Sequence, residues 1–115
     1  MPNEKIEIYA RKILDEIGIR PNLKGYGAWI VAAQRVVELK KRKYRIFKEV
    51  YPEVAKRMND TLTRVERCLR TSISGPIQKK IKKYFKVNYD ITNSVFLALL
   101  VQKIKELNTA GNDIV

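Results

Sequence analysis

The sequence predicts an all-α protein, a compact six-helix domain containing a helix-turn-helix, on three observations. Apolar residues recur at three- and four-residue spacing along almost the whole chain, which is the period of a helix buried on one face. Start and stop signals such as Gly18, Ser74-Gly75-Pro76 and Thr92 divide these runs. The chain has 115 residues, 45% of them hydrophobic, enough for one domain with a core of its own. A single domain over 1–115 is therefore expected, ordered from about 5 to 107 and frayed over 108–115.

The elements follow in order. Ile6, Ala10, Ile13, Leu14 and Ile17 share one face of a first helix over Lys5–Ile17, which Gly18 closes. A second helix over Lys24–Lys41 puts Tyr26, Trp29, Ile30, Ala33 and Val37 on one stripe, with Gly25 and Gly27 near its start. From Tyr44 to Met58 the residues Tyr44, Phe47, Tyr51, Val54 and Met58 keep helical spacing. Pro52 predicts a short helix, a break, and a new turn or two over 52–58. After the tight turn at Asn59-Asp60, either Thr61 or Thr63 can cap the next helix. Thr63 is preferred, because Glu66 three residues on completes a capping box. That helix runs to about Ile73. A fifth covers Pro76–Phe85, burying Ile77, Ile81, Tyr84 and Phe85. Thr92 caps a last helix to Leu107, whose stretch Val95–Val101 is apolar nearly all round and is expected at the centre of the core.

Charge is the next informative feature. The chain carries 24 Lys+Arg against 12 Asp+Glu, a net charge of +12. Between Arg35 and Lys86 there are 17 basic and five acidic residues, while the flanks hold seven of each, so the whole surplus belongs to one contiguous segment. A basic block on a folded domain is the footprint of a phosphate-backbone binder, since Lys and Arg displace the counterions condensed on nucleic acid. A merely solvated face is the plainer alternative.

Several function classes fall away. With no histidine, the Ser-His and Cys-His nucleophile pairs and His-ligated metal sites are excluded. One cysteine, Cys68, permits neither an internal disulfide nor a Cys-rich zinc site and suits a reducing cytoplasm. The carboxylates are scattered, the tyrosines lack an adjacent base, and no glycine-rich phosphate loop occurs. No enzyme activity, metal or cofactor is therefore expected. Residues 1–12 mix charges without an apolar core, so no signal peptide is expected, and the longest apolar run, Val95–Val101, is far short of a membrane span.

Two short helices joined by a tight turn form the candidate functional constellation: Tyr51–Met58, the turn Asn59-Asp60-Thr61-Leu62, and a recognition helix over 63–73. At 100° per residue, Leu62, Val65, Leu69, Ser72 and Ile73 cluster on one side of the latter. Thr63, Glu66, Arg67, Arg70 and Thr71 lie opposite, with Arg64 close by and Arg67 central. Arg pairs bidentately with guanine and Glu accepts from cytosine, so this face has the chemistry of major-groove readout. Arg64, Glu66, Arg67 and Arg70 merely salt-bridged in solvent would be the plainer reading. Lys56, Lys79 and Lys82 are placed on the DNA backbone.

At these residues the chain resembles a known family. Tyr51-Pro52-Glu53-Val54-Ala55-Lys56-Arg57-Met58-Asn59 and Thr63-Arg64-Val65-Glu66-Arg67-Cys68-Leu69-Arg70 are similar to the helix-turn-helix of the C-terminal DNA-binding effector domain of the stage-zero sporulation response regulators of endospore-forming bacteria. Glu16-Ile17-Gly18-Ile19, Lys24-Gly25-Tyr26 and Thr92-Asn93-Ser94 with Phe96 extend the likeness in the same order, over about 8–107. The resemblance implies a six-helix DNA-binding domain whose recognition helix enters the major groove of a promoter box, with copies head to tail on tandem boxes. It implies base contacts by Arg64, Glu66 and Arg67; Arg70 is assigned to the backbone, joined by Thr63 and Thr71. Where the motif continues Arg-His-Ala-Ile-Glu, this chain has Arg70-Thr71-Ser72-Ile73-Ser74, without the histidine. The family's regulators begin with a phosphorylatable receiver domain, whereas fewer than ten residues precede the first helix here, so phosphorylation control is expected either to be absent from this chain or to lie outside this sequence.

The double-stranded DNA reading competes with one other. A domain of this kind could instead dock on a full-length regulator through its last helix and modulate it, or bind DNA without sequence preference. RNA binding is disfavoured, because the aromatic residues fall on core stripes.

Overall fold

The computed structural model describes the backbone of residues 1–114 and the side chains of residues 1–111. Among the described residues there are six α-helices: α1 (Asn3–Ile17), α2 (Lys24–Leu39), α3 (Tyr51–Arg57), α4 (Leu62–Ser72), α5 (Ile77–Phe85) and α6 (Asn93–Ile114). A π-helical turn, Ile46–Val50, runs into α3. The all-α, six-helix expectation is what the chain adopts. No helix of the described residues is long and apolar enough to cross a membrane.

Helix α1 buries the five residues its spacing selects. It ends in a Schellman closure: Gly18 takes φ +102°, Ile19 N donates to Leu14 O at 3.0 Å, and Gly18 N donates to Asp15 O at 3.1 Å. Ile19, just past the cap, turns back into the core.

The central helix is α2, not α6, which corrects the sequence expectation. Small residues explain the difference. Gly25, Ala28, Ala32 and Ala33 let neighbours approach α2 from several sides, so it packs against α1, α3, α4 and α6. The apolar run in α6 buries Phe96, Leu97, Leu100 and Val101 but leaves Ala98 exposed and Leu99 half-buried. That helix also runs beyond the expected end at Leu107, to Ile114, while Val115 lies outside the described residues.

Between Tyr44 and Met58 the break falls earlier than Pro52. Pro52 occupies the first turn of α3, where no backbone N–H is required, and the irregularity lies in the preceding π turn, closed by Tyr51 N on Ile46 O. The wider turn rotates Phe47 off the buried stripe. It is 60% exposed, its ring meeting buried Tyr51 edge-on at 4.9 Å.

The loop after α5 is held by one side chain. Gln78 donates from Nε2 to the Ile91 and Ile73 carbonyls, and its Oε1 accepts from Ile91 N at 3.1 Å. Ile81 is fully buried as expected, whereas Ile77, Tyr84 and Phe85 are half-buried against the core because α5 covers its edge. Thr92 caps α6, accepting from Val95 N through Oγ1 at 3.3 Å.

The tightest seam joins α2 to α4. A Cβ on Gly25 would stand 2.6 Å from both Cys68 O and Ser72 Cβ. One turn further along, Trp29 Nε1 donates to Ser72 Oγ at 2.8 Å, and that hydroxyl donates to Leu69 O at 2.6 Å. The same indole meets Phe96 of α6 at 4.7 Å. Gly25→Ala is expected to push the two backbones apart and cost about 1–3 kcal/mol in a urea melt. Gly27→Ala, with nothing within 4 Å of the added Cβ, should be neutral or stabilise by about 0.5–1 kcal/mol, the gain of Ala over Gly within a helix.

Candidate nucleic-acid interface

Helix α3 hands the chain to α4 through four residues, Met58 to Thr61. The turn is a second Schellman closure, made without glycine. Asn59 takes φ +53°, Asp60 N donates to Ala55 O at 2.9 Å and Asn59 N to Lys56 O at 3.2 Å. Thr61, not Thr63, caps α4: its Oγ1 accepts from Arg64 N at 3.2 Å. The capping box is thereby corrected, since Schellman closure at Asn59 releases the chain early enough for the helix to start at Leu62. Glu66 lies a turn beyond the cap and ion-pairs with Arg70 at 3.2 Å instead.

One carboxylate organises the start of α4. Asp60 is only 5% exposed, yet it accepts from Thr61 N at 2.8 Å, receives Lys24 from the start of α2 and has Arg64 Nε at 3.8 Å. The Lys24 hydrogen bond, then that of Thr61 N, hold its carboxyl below the ordinary value of 3.8. The turn between the two helices is in this way tied to α2 by charge, as the body of α4 is tied to α2 by packing.

With its inner side fixed by Val65, Leu69, Ser72 and Ile73, α4 presents Thr63, Arg64, Arg67, Arg70 and Thr71 to solvent. Leu62, expected inside, is 39% exposed, because it opens the first turn. Arg64 is 72% exposed. Arg67, at the centre of the face, has no ion-pair partner among the described residues. Glu66 is half-buried at the edge, where Asn93 of α6 reaches its carbonyl at 3.4 Å and the Tyr51 hydroxyl at 3.0 Å. The face therefore combines solvent-exposed guanidinium groups with a helix packed closely against α2 on its inner side.

The outlying basic residues separate into two groups. Lys56 on α3 and Lys79 on α5 are exposed, whereas Lys82 is half-buried and pairs with Asp90 at 3.2 Å. Lys80, which the sequence did not single out, lines a groove with Thr71, Leu23 and Arg20, and Lys24 lines the adjoining one with Arg64 and Arg67. Both lysines were invisible in the sequence because they reach α4 from α5 and α2. Arg57 is exposed, but its charge is taken up by ion pairs to Glu38 at 2.6 Å and Glu53 at 3.2 Å. Cys68 is half-buried and burial pushes its thiol up, so it stays a protonated packing group whose Sγ meets Val65 O.

Taken together, the helices define a helix-turn-helix domain with an exposed basic face on α4. Over residues 10–104 the chain matches the family described as Sporulation initiation factor Spo0A C terminal, and it belongs to that family, the DNA-binding effector domains of sporulation regulators. No solved structure matches it.

The Asp60 anchor has a pH signature. Because the folded-state carboxyl titrates below 3.8, its contribution to stability is complete above that value and is lost as the pH falls through the lowered one. Asp60→Asn is expected to lower the melting temperature at neutral pH, and the difference from the wild type is expected to shrink as the pH falls through the acid range below 3.8. Parallel melting curves across that range would contradict the anchor.

Proposed function

We propose that this domain is a sequence-specific double-stranded DNA-binding transcription regulator, with α4 in the major groove of its site. The observation that carries the reading is Arg67, an unpaired guanidinium at the centre of an exposed face whose helix is locked from behind by Gly25 and Trp29. Arg64 and Arg67 suit guanine O6 and N7, and Glu66, at the edge of the face, suits the amino group of cytosine once Arg70 turns to phosphate. Thr63, Thr71, Lys56, Lys79 and Lys82 supply backbone contacts, joined by Lys24 and Lys80 from the flanking grooves. The reading extends to copies standing head to tail on tandem promoter boxes in the cytoplasm, an arrangement taken from the sequence resemblance at 51–70.

Selection of bound duplexes from a random pool is the decisive experiment. An enriched motif supports base reading, and its occurrence singly or in tandem bears on how copies are arranged. Salt-sensitive binding with no enrichment would leave only a non-specific binder. Arg67→Ala should cost about 1–3 kcal/mol on the selected duplex and much less on random DNA, measured by fluorescence anisotropy. Lys80→Ala should weaken both equally and reduce the slope of log K against log salt by about 0.9, one phosphate contact. Equal losses for Arg67→Ala on the two duplexes would remove it from the base-reading set.

A further inference from the structure

The basic segment does not all face the DNA side. Helix α2 has 16 residues and is therefore about 24 Å long, with Lys24 beside the recognition helix at one end. At its other end the chain leaves through Lys40, Lys41, Arg42 and Lys43, all exposed. There a groove of about 650 Å³ lies between the end of α2 and the middle of α6. Its floor is apolar: Val36 and Val101 are buried, Tyr44 is half-buried and Ala98 is exposed. Its rim is cationic, made by Lys41, Arg42 and Lys105, with Gln102 the remaining lining residue and no carboxylate in the lining. Lys41 is engaged by Glu49, which leaves Arg42 and Lys105 without an ion pair among the described residues.

We infer that this groove is a docking site for an acidic amphipathic helix of a partner protein. Charge complementarity selects the occupant. A phosphate backbone is met by polar and charged donors and has nothing to bury on a floor of valine, tyrosine and alanine. An amphipathic helix lays its apolar stripe along such a floor and its flanking carboxylates against the two rim cations. Ala98, a small residue at an exposed position of α6, keeps the floor open. Because the groove and the reading face lie at opposite ends of α2, the domain can hold DNA and the partner helix together.

The test uses the whole chain, isotope-labelled, titrated with a synthetic helical peptide of about 14 residues carrying Leu at i, i+3, i+4 and i+7 and Glu on both flanks. Saturable NMR shifts centred on Val36, Tyr44, Ala98 and Val101 are expected. Arg42→Glu with Lys105→Glu should weaken the peptide by roughly tenfold or more, about 1.4 kcal/mol. Ala98→Trp should block it by filling the floor. Both variants alter exposed positions and should keep the wild-type melting temperature and the wild-type affinity for DNA. The inference is overturned if the shifts map to α4 or α5, or if a scrambled peptide of the same composition binds equally well. It is also overturned if the charge-reversed variant loses DNA affinity while peptide binding is unchanged, which marks a second DNA surface. Sedimentation showing a dimer that Ala98→Trp dissolves, with no peptide bound, would assign the groove to a second copy of this chain.

Discussion

The placement of α4 and its exposed basic face rests on one close approach, that of Gly25 to the backbone of α4. No side chain can stand between them, because a single carbon would fall 2.6 Å from the Cys68 carbonyl. The contact sets the depth at which α4 sits, and the Trp29 to Ser72 hydrogen bond sets its rotation. Trp29 in turn rests on Phe96, so the pose of the reading helix is held from α2 and α6 at once. The inner side of α4 is thus supported by rigid rings and a glycine rather than by flexible chains, which fixes the positions of the side chains on its outer side.

The electrostatic arrangement complements this packing. Asp60 is the acidic residue that gathers charge around the turn, and it draws in Lys24 and Arg64 together with a backbone N–H. Two of the basic residues nearest the reading face therefore have their positions biased by a buried carboxylate before any polyanion arrives. The cost is local neutralisation, since the charge of Lys24 is offset by Asp60. Arg67 carries no such commitment, which is why the face has an unpaired cation at its middle and paired ones on its margins.

Much of this was legible in the sequence, and the exceptions have a common cause. Helical periodicity located α1 to α6 and the buried face of α1 in full, that of α4 apart from Leu62 and that of α5 only at Ile81, and Gly18, Pro76 and Thr92 marked boundaries where they fall. The cap of α4 was misplaced because two threonines compete and the deciding bond lies in the backbone of α3. Phe47 was assigned to the core because a π turn adds a residue that a regular 3.6-residue count does not foresee. The centrality of α2 was hidden because small residues look weakly hydrophobic in a pattern and become decisive only when another helix presses against them. Of the candidate site, the face of α4 was readable, being local. Lys24, Asp60 and Lys80 were not, since what matters is their meeting across dozens of residues.

The bond from Trp29 to Ser72 spans 43 positions of the chain. The helix-turn-helix unit is often treated as a portable motif, yet here its second helix owes its orientation to residues well outside it. A loop of that length must close for α4 to take its pose, so the orientation of its exposed face depends on long-range contacts and not on local propensity alone. A peptide confined to α3, the turn and α4 would keep the letters of the recognition surface while losing the scaffold that aims them. The unit that holds the exposed face of α4 in its pose is accordingly the domain that includes α2 and α6.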